Sequence, residues 1–443
     1  MENIKISKEK LIKIKDAVIF ILLFLWMLMP LLQTVSGIQA IIDKWYFRLM
    51  KTTGGIGIGI SILCIYYKIR NSDNKKEALK EVLPIFLFTL YMLWTLISCH
   101  NADRKKQAFN GNEYRKEGYF MYLNYAGYFL CAFLLENKKL RKMLLNTFVI
   151  SSLFLIIVSR ICIYSQIFRV IFGDVDIYNG VFKQFNHYGY YLMMSLICSL
   201  GLFITEKNKK LQIIYLIAYT IIGYATIKNN TFGCYLAICI FLILYIIYSL
   251  IKKIDRKKIG IAIAIFVILS CIITENNQNI AYKNLSEFGN DVKAIVCKIF
   301  NIETKDENIE QEFLEAGTYR MELWIKGIEF IAERPIIGYG PDNLKDHYLK
   351  ERIDQDRPHN LLIYLACVSG IPGMIIYVIA VSIIVINGII KLFKNNQSGK
   401  IFLIIVITYL ISSMFGNSMY YTSPYFFIFL GSLMNCNLQK QEN

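Results

Sequence analysis

His359 and Asn360 stand between Pro358 and an apolar run, and nine residues further on that run is interrupted by Gly370-Ile371-Pro372-Gly373. A segment that only crossed a bilayer would need neither feature. A neutral imidazole can take a proton from a hydroxyl near pH 7, and the amide beside it adds a second polar group. At 1.5 Å per residue the break lies about 16 Å into the run. Glycine and proline there leave backbone groups without helical partners, so the break must face protein or a water-filled cavity. A lone histidine at a helix start is more often a polar cap. Its conjunction with a broken helix points to a base at the mouth of a cavity.

Arg320 falls in the stretch GTYRMELWIKGIEFIAERPIIGYGPDNL. Tyr319, Leu323, Ile325, Ile328 and Ile331 recur near helical spacing, which predicts a helix from about Thr318 to Glu333. Pro335 ends it, and Gly338 and Gly340 make a turn. Arg320, one turn before Trp324, sits at the edge of the apolar stripe, where a guanidinium can hold phosphate oxygens bidentately. The loop HNADRKKQAFNGNEYRKEG, residues 100–118, is strongly basic. It reads equally as a solvated loop or as an attractor for an anionic lipid head group or pyrophosphate, and Arg115 is its best-placed cation. The acidic pairs Asp174-Val175-Asp176 and Asp354-Gln355-Asp356 have the form of metal–nucleotide-sugar sites. Both fall on the outer side, where nucleotide sugars are not supplied. Arg160, near the outer end of a predicted span, is expected to snorkel. The eleven cysteines are scattered, without metal-ligand spacing beside a histidine, so no metal and no cofactor are expected.

The elements that must position these residues are membrane helices. The chain has 443 residues, is 55% hydrophobic and repeats apolar runs of about 20 residues, each long enough to span a hydrocarbon core. The expected fold is all-α integral membrane, with about twelve spans near 17–36, 52–67, 83–99, 119–135, 143–164, 188–205, 211–227, 231–251, 259–274, 360–390, 401–416 and 424–435. The basic amino terminus precedes a first helix that stays. With both termini inside, the inner segments carry more than twice as many lysines and arginines as the short outer loops, as the positive-inside rule requires. The net charge of +16 is thus an orientation signal, and nucleic acid is not expected as a partner. Residues 275–359, between predicted spans 9 and 10, form one large extracytoplasmic loop holding about half of the acidic residues. Residues 1–443 are read as one polytopic membrane domain, and a loop this long with structure of its own usually carries function.

The order His359-Asn360, nine residues, Gly370-x-x-Gly373 resembles the signature of the O-antigen ligase and polysaccharide polymerase family. Arg320-x-x-x-Trp324 followed by Pro335, Gly338 and Gly340 resembles the helix and turn that precede it there. GVFKQFNHYGYYL, with Gly180, Phe182, Asn186 and Tyr191, resembles the family's lead into a mid-chain span. In the first 110 residues the likeness rests on hydropathy alone. The resemblance implies a GT-C-like membrane glycosyltransferase that moves a glycan from undecaprenyl pyrophosphate to an acceptor hydroxyl without a metal. It further implies that His359 activates the acceptor hydroxyl or orients it and that Arg320 binds the pyrophosphate, with Asn360 and Asn186 as substrate-binding residues. Where many members have a Ser-Arg-Gly-like element, this chain has Asn230-Thr231-Phe232-Gly233, so the second phosphate-binding cation is expected from Lys228 or Arg115.

These readings give a glycosyltransferase, ligase or polymerase, at the outer face of the cytoplasmic membrane, with membrane lipid, a lipid-linked glycan and a glycan or lipid acceptor as partners. The alternative is a transporter or flippase of lipid-linked sugar, which twelve spans and a broken helix also suit. A non-catalytic scaffold is a third reading. Transporters usually show related halves, whereas this chain has its one large loop near the end.

Overall fold

A computed structural model describes residues 8–34, 48, 52–63, 65–66, 69–70, 72, 74–173, 175–182, 184–300, 309–394, 397, 399–417 and 419–438. Asp174 of the first acidic pair and Cys64 fall outside the described residues, and so does most of the amino-terminal basic segment's start.

The described residues are mostly helical. Its helices are α1 Lys8–Leu32, α2 Thr52–Leu63, α3 Lys75–Glu81, α4 Leu83–His100, α5 Lys105–Asn110, α6 Tyr119–Leu134, α7 Lys138–Tyr164, α8 Gln166–Phe172 and α9 Phe185–Thr205. After them come α10 Lys209–Asn229, α11 Phe232–Lys252, α12 Arg256–Ile272, α13 Ile280–Ile299, α14 Ile309–Glu333, α15 Lys345–Lys350, α16 Leu361–Phe393, α17 Lys400–Ser413 and α18 Ser423–Leu438. A short antiparallel pair, β1 Thr274–Glu275 and β2 Gln278–Asn279, leads into α13. A helix lies at each predicted span. Six of them, α4, α7, α9, α10, α11 and α16, are long and apolar enough to cross a membrane by length and composition. This is an all-α membrane protein.

α9 is the centre of the bundle. It is apolar on every face and buried along nearly its whole length, as a helix surrounded by other helices should be. It packs against α10, α17 and α7. Outer helices bury one side only: Ile213, Ile214 and Ile217 of α10 and Ile243, Leu244, Ile247 and Leu250 of α11 are exposed. Exposed aliphatic faces of this extent belong against lipid. Lys258, at the start of α12, donates to the carbonyls of Phe203, Ile204 and Glu206 at 3.1, 2.6 and 3.0 Å and so closes the carboxyl end of α9. Arg160 donates to the hydroxyl of Tyr224 at 2.7 Å and lies against that ring.

The break in α16 is an attachment point. Gly370 has φ +68° and ψ 172°, a conformation open essentially to glycine alone. The turn after α14 fills the gap. Tyr339 N donates to Cys367 O at 2.8 Å, Gly340 N to Val368 O at 2.9 Å, and Ile371 N to Pro335 O at 2.8 Å. Trp94 of α4 donates its indole N–H to Ser369 O at 2.9 Å. Backbone groups freed by the Gly-x-Pro-Gly sequence are therefore taken up by protein, and the cavity near His359 is a separate feature. Gly338 and Gly340 have φ +71° and +81°, and a Cβ on Gly338 would come within 2.6 Å of Cys367 O; glycine allows the turn to approach the helix so closely. Above the break, Leu323, Phe330, Tyr339, Leu344, Tyr348, Tyr364, Cys367 and Val368 form a second apolar cluster. It fixes the segment from α14 to α15 onto the amino-terminal half of α16.

Candidate active site

The residues with chemical potential arrive from separate parts of the chain. The turn 358–360 supplies His359. Pro358 precedes it, and Asn360 caps α16, its side-chain oxygen accepting from Leu362 N and Ile363 N at 3.0 and 3.2 Å. The same amide donates to Met414 O at 3.1 Å. Asn360 is thus committed to backbone at both ends, and it positions its neighbour. His359 itself has φ +54°, the left-handed region that histidine enters less rarely than most side chains. Its Nε2 lies 3.1 Å from Asn417 Nδ2. With the amide so placed, Asn417 donates and Nε2 carries the lone pair. Burial, followed by the charges of Arg320 and Arg115, pushes the imidazole down to about 3. At neutral pH it is uncharged.

Arg320 comes from α14. That helix is interrupted at Ala316–Tyr319, where Gly317, Thr318 and Tyr319 have positive φ, so the predicted helix starts afresh close to Arg320. The guanidinium donates through one terminal nitrogen to Gly317 O at 2.5 Å and Thr318 Oγ1 at 2.8 Å. Its Nε is buried and has no partner among the described residues.

Arg115 reaches the same place from the basic loop. Its Nε donates to Asp356 Oδ2 at 2.7 Å and its other terminal nitrogen to Asp356 Oδ1 at 2.9 Å, a fork-to-fork pair. Burial raises the Asp356 carboxyl, but the charge and hydrogen bonds of Arg115 outweigh it and hold the group down at about 2.

Arg115, Arg320, His359 and Asn186 line one narrow cavity of about 10 Å³, together with His187, Tyr190, Thr231, Ser412 and Asn417 among others. That is room for about one water. His187 and Asn417 escaped the sequence reading. His187 is fully buried in the first turn of α9, and neither ring nitrogen has a partner among the described residues; the same holds for Asn417 Oδ1. Its signal was present in the quoted stretch, as the histidine directly after Asn186. Asn417 had none, because a lone asparagine between two spans is an ordinary loop residue.

Lys228 is not part of the cavity lining. Its ammonium donates to Thr274 O at 3.1 Å and steadies the β-hairpin that opens the large loop. The arginine-less stretch 229–233 forms a clasp instead: Asn229 Nδ2 donates to Tyr178 O at 2.6 Å and Phe185 O at 3.0 Å, and Thr231 Oγ1 donates to Asn229 Oδ1 at 2.6 Å. Of the two cations considered for a second phosphate contact, Arg115 faces the cavity. Among the described residues no group of three or more His, Cys, Asp and Glu could hold a metal ion.

A buried ionic network holds the basic loop in place. Arg357 pairs with Glu117 at 2.6 Å and with Asp342, all three 1% exposed or less at the side chain. Asp342 Oδ2 also accepts from Asn112 N at 3.0 Å and Glu117 N at 3.1 Å. Tyr125 donates to Glu117 Oε1 at 2.5 Å, and the guanidinium of Arg357 lies over the ring of Tyr364, 4.5 Å from its centre. Nothing in the local sequence joins residue 117 to residues 342 and 357. The network brings Arg115 and His359 to one site by fixing their neighbours two residues away.

No match to the chain is found among curated proteins. A family model described as O-Antigen ligase matches residues 217–378, a segment that holds Arg320, the glycine turn, His359 and the broken helix, with Arg115 and Asn186 outside it. Over residues 217–378 the chain is thus similar to the O-antigen ligase family, the family its sequence motifs resemble.

Proposed function

We propose that the protein transfers a glycan from undecaprenyl pyrophosphate to an acceptor hydroxyl at the outer face of the cytoplasmic membrane, as a ligase or a polymerase with a GT-C-like membrane domain. The match of residues 217–378 to the O-antigen ligase family supports a glycosyltransferase-like enzyme acting on a lipid-linked glycan. The observation that carries the reading is the meeting of His359, Arg320, Arg115 and Asn186, from four separate segments, around one cavity. The topology adopted for it has twelve spans, both termini in the cytoplasm and residues 275–359 outside.

In this reaction the acceptor O–H loses its proton to His359 Nε2 as its oxygen attacks the anomeric carbon. The bond from that carbon to the pyrophosphate oxygen breaks, and the pyrophosphate leaves with the electron pair. Arg320, with its spare Nε, and Arg115 stabilise the charge growing on the leaving group. The two cations that weaken His359 as a base are the ones a pyrophosphate would neutralise. Donor binding therefore strengthens the base at the moment it is needed. The acceptor hydroxyl takes the place of Asn417 on Nε2. Because the cavity holds about one water, the loop, α14 and the 412–417 segment must move apart to admit the donor. No step uses a metal.

The test is complementation of a deletion strain with wild type, His359→Ala or Arg320→Ala at matched protein level. Either substitution is expected to reduce transfer 10²-fold or more and to accumulate lipid-linked glycan. Single repeats would mark a polymerase and long lipid-linked chains a ligase. A wild-type glycan profile from His359→Ala would refute the reading, and a transporter would give that profile.

A further inference from the structure

An open groove of about 870 Å³ lies beside the narrow cavity, between the basic loop and the segment that carries α15. Its volume is in the upper range of ligand-binding pockets, about 300–1,000 Å³, and no aliphatic residue lines it, so its apolar surface comes from the stems of long polar side chains and from Tyr114. The lining is made of charged residues, amides, one glycine and Tyr114. Four cations, Arg104, Lys105, Lys106 and Lys345, face four carboxylates, Glu113, Asp346, Asp354 and Asp356. The signs balance, and part of the charge is already satisfied locally. Arg104 pairs with Asp346 at 2.6 Å, and Asp356 is held by Arg115. A site for an anion would concentrate one sign. This one offers a dense mixture of donors and acceptors, with a half-exposed tyrosine at its side, which is the chemistry that recognises a neutral, hydroxyl-rich chain.

The groove and the cavity share a wall. Asp356 lines the groove, and its partner Arg115 lines the cavity that holds His359 and Arg320. A chain lying in the groove with its end at Asp356 would have that end one ion pair away from the base.

Resting on the transfer reaction above, we infer that this groove is the acceptor site and that the acceptor is a glycan approaching from the aqueous side. Its planar carboxylates and amides grip the sugar hydroxyls, and its inner end delivers the reacting hydroxyl past the Arg115–Asp356 pair. The acceptor hydroxyl then belongs to a saccharide held by the outer loops, and not to a group buried in lipid.

The test uses full-length protein in detergent. Its probe is the oligosaccharide released by mild acid from the lipid-linked glycan that accumulates in the deletion strain, labelled at its reducing end. Binding is expected to be saturable and unaffected by inorganic pyrophosphate. It should weaken at least tenfold when the groove is filled by Asn110→Trp or Gln355→Trp, both at exposed positions, with unchanged melting temperature as the folding control. His359→Ala and Arg320→Ala should bind the probe like wild type, which separates the groove from the reaction. Displacement of the probe by pyrophosphate would make the groove a phosphate site and overturn the proposal. Absence of binding, or binding indifferent to both tryptophans, would overturn it too. Binding as expected, with His359→Ala still active in transfer, would sustain the groove as a glycan site and remove only its link to the proposed base.

Discussion

Arg357→Met should unfasten the outer part of the site from the membrane bundle. Arg357 is 1% exposed and bridges Glu117 and Asp342, whose side chains are wholly buried. Removing the guanidinium leaves two carboxylates out of water without a counter-charge, and breaking a buried pair in this way typically costs about 3–5 kcal/mol. Partial relief comes from what remains: Tyr125 still donates to Glu117, and the amides of Asn112 and Glu117 still donate to Asp342. One carboxylate can also take up a proton. A cost of about 4 kcal/mol is a large share of the 5–15 kcal/mol typical of folded proteins, and for a chain of 443 residues it corresponds to a fall in melting temperature of about 4 °C. The decisive comparison is the triple variant Glu117→Gln, Asp342→Asn, Arg357→Met. Its amides keep the acceptors used by Tyr125 and the two backbone amides, no buried charge is left, and asparagine tolerates the φ of +58° at position 342. The triple variant should therefore recover most of the stability that the single one loses. Thermal unfolding of the purified protein in detergent, read beside transfer activity, checks both. A single variant that melts within about 2 °C of wild type, or a triple variant no more stable than the single one, would refute the claim that this charge network holds the loop.

The joint in α16 gives a second expectation. Gly370→Ala places a Cβ 2.0 Å from Ile336 O in a φ/ψ region reserved for glycine. Strain and overpacking together should cost roughly 3–5 kcal/mol, measurable as lost folded protein by fluorescence-detected size exclusion; a normal profile would contradict the tight turn. The pH dependence follows from His359. Because burial and the two arginines hold it at about 3, the imidazole is already neutral in the free enzyme throughout the neutral range. The profile of kcat/KM should then show no acid limb near 6.5, and Arg320→Gln should raise the pKa by removing one of the two cations. Unfolded, the same histidine binds its proton near 6.5. Its contribution therefore leaves stability untouched above that pH and reduces it as pH falls from about 6.5 toward 3. An acid limb at 6.5 assigned to His359 would show that the site is far more solvated than described.

How much of this was legible beforehand depends on the range of the interaction involved. Helices form from local hydropathy, and a helix lies at each of the twelve apolar runs, because backbone groups in lipid can be satisfied only within the segment itself. The turn at Gly338 and Gly340, the break at Gly370 and the chemical promise of His359 and Arg320 were likewise readable, since glycine, proline, histidine and arginine declare themselves by type. What the break is for was not readable. Its purpose depends on the 335–340 turn lying against it, a contact across some thirty residues. The roles of the flanking residues were decided in the same way. Asn360 and Asn186 look alike in sequence; one caps a helix and the other lines the cavity. Lys228 and Arg115 were equal candidates for a phosphate until packing turned one to a hairpin carbonyl and the other to the cavity. His187 and Asn417 acquired a site only when α9 and the 412–417 segment met. Sequence determined the helices and the reactive types, because those follow from short-range hydropathy and side-chain chemistry. Tertiary structure alone decided which of those groups share a cavity and which carry structural duties, because that depends on distances between residues hundreds of positions apart.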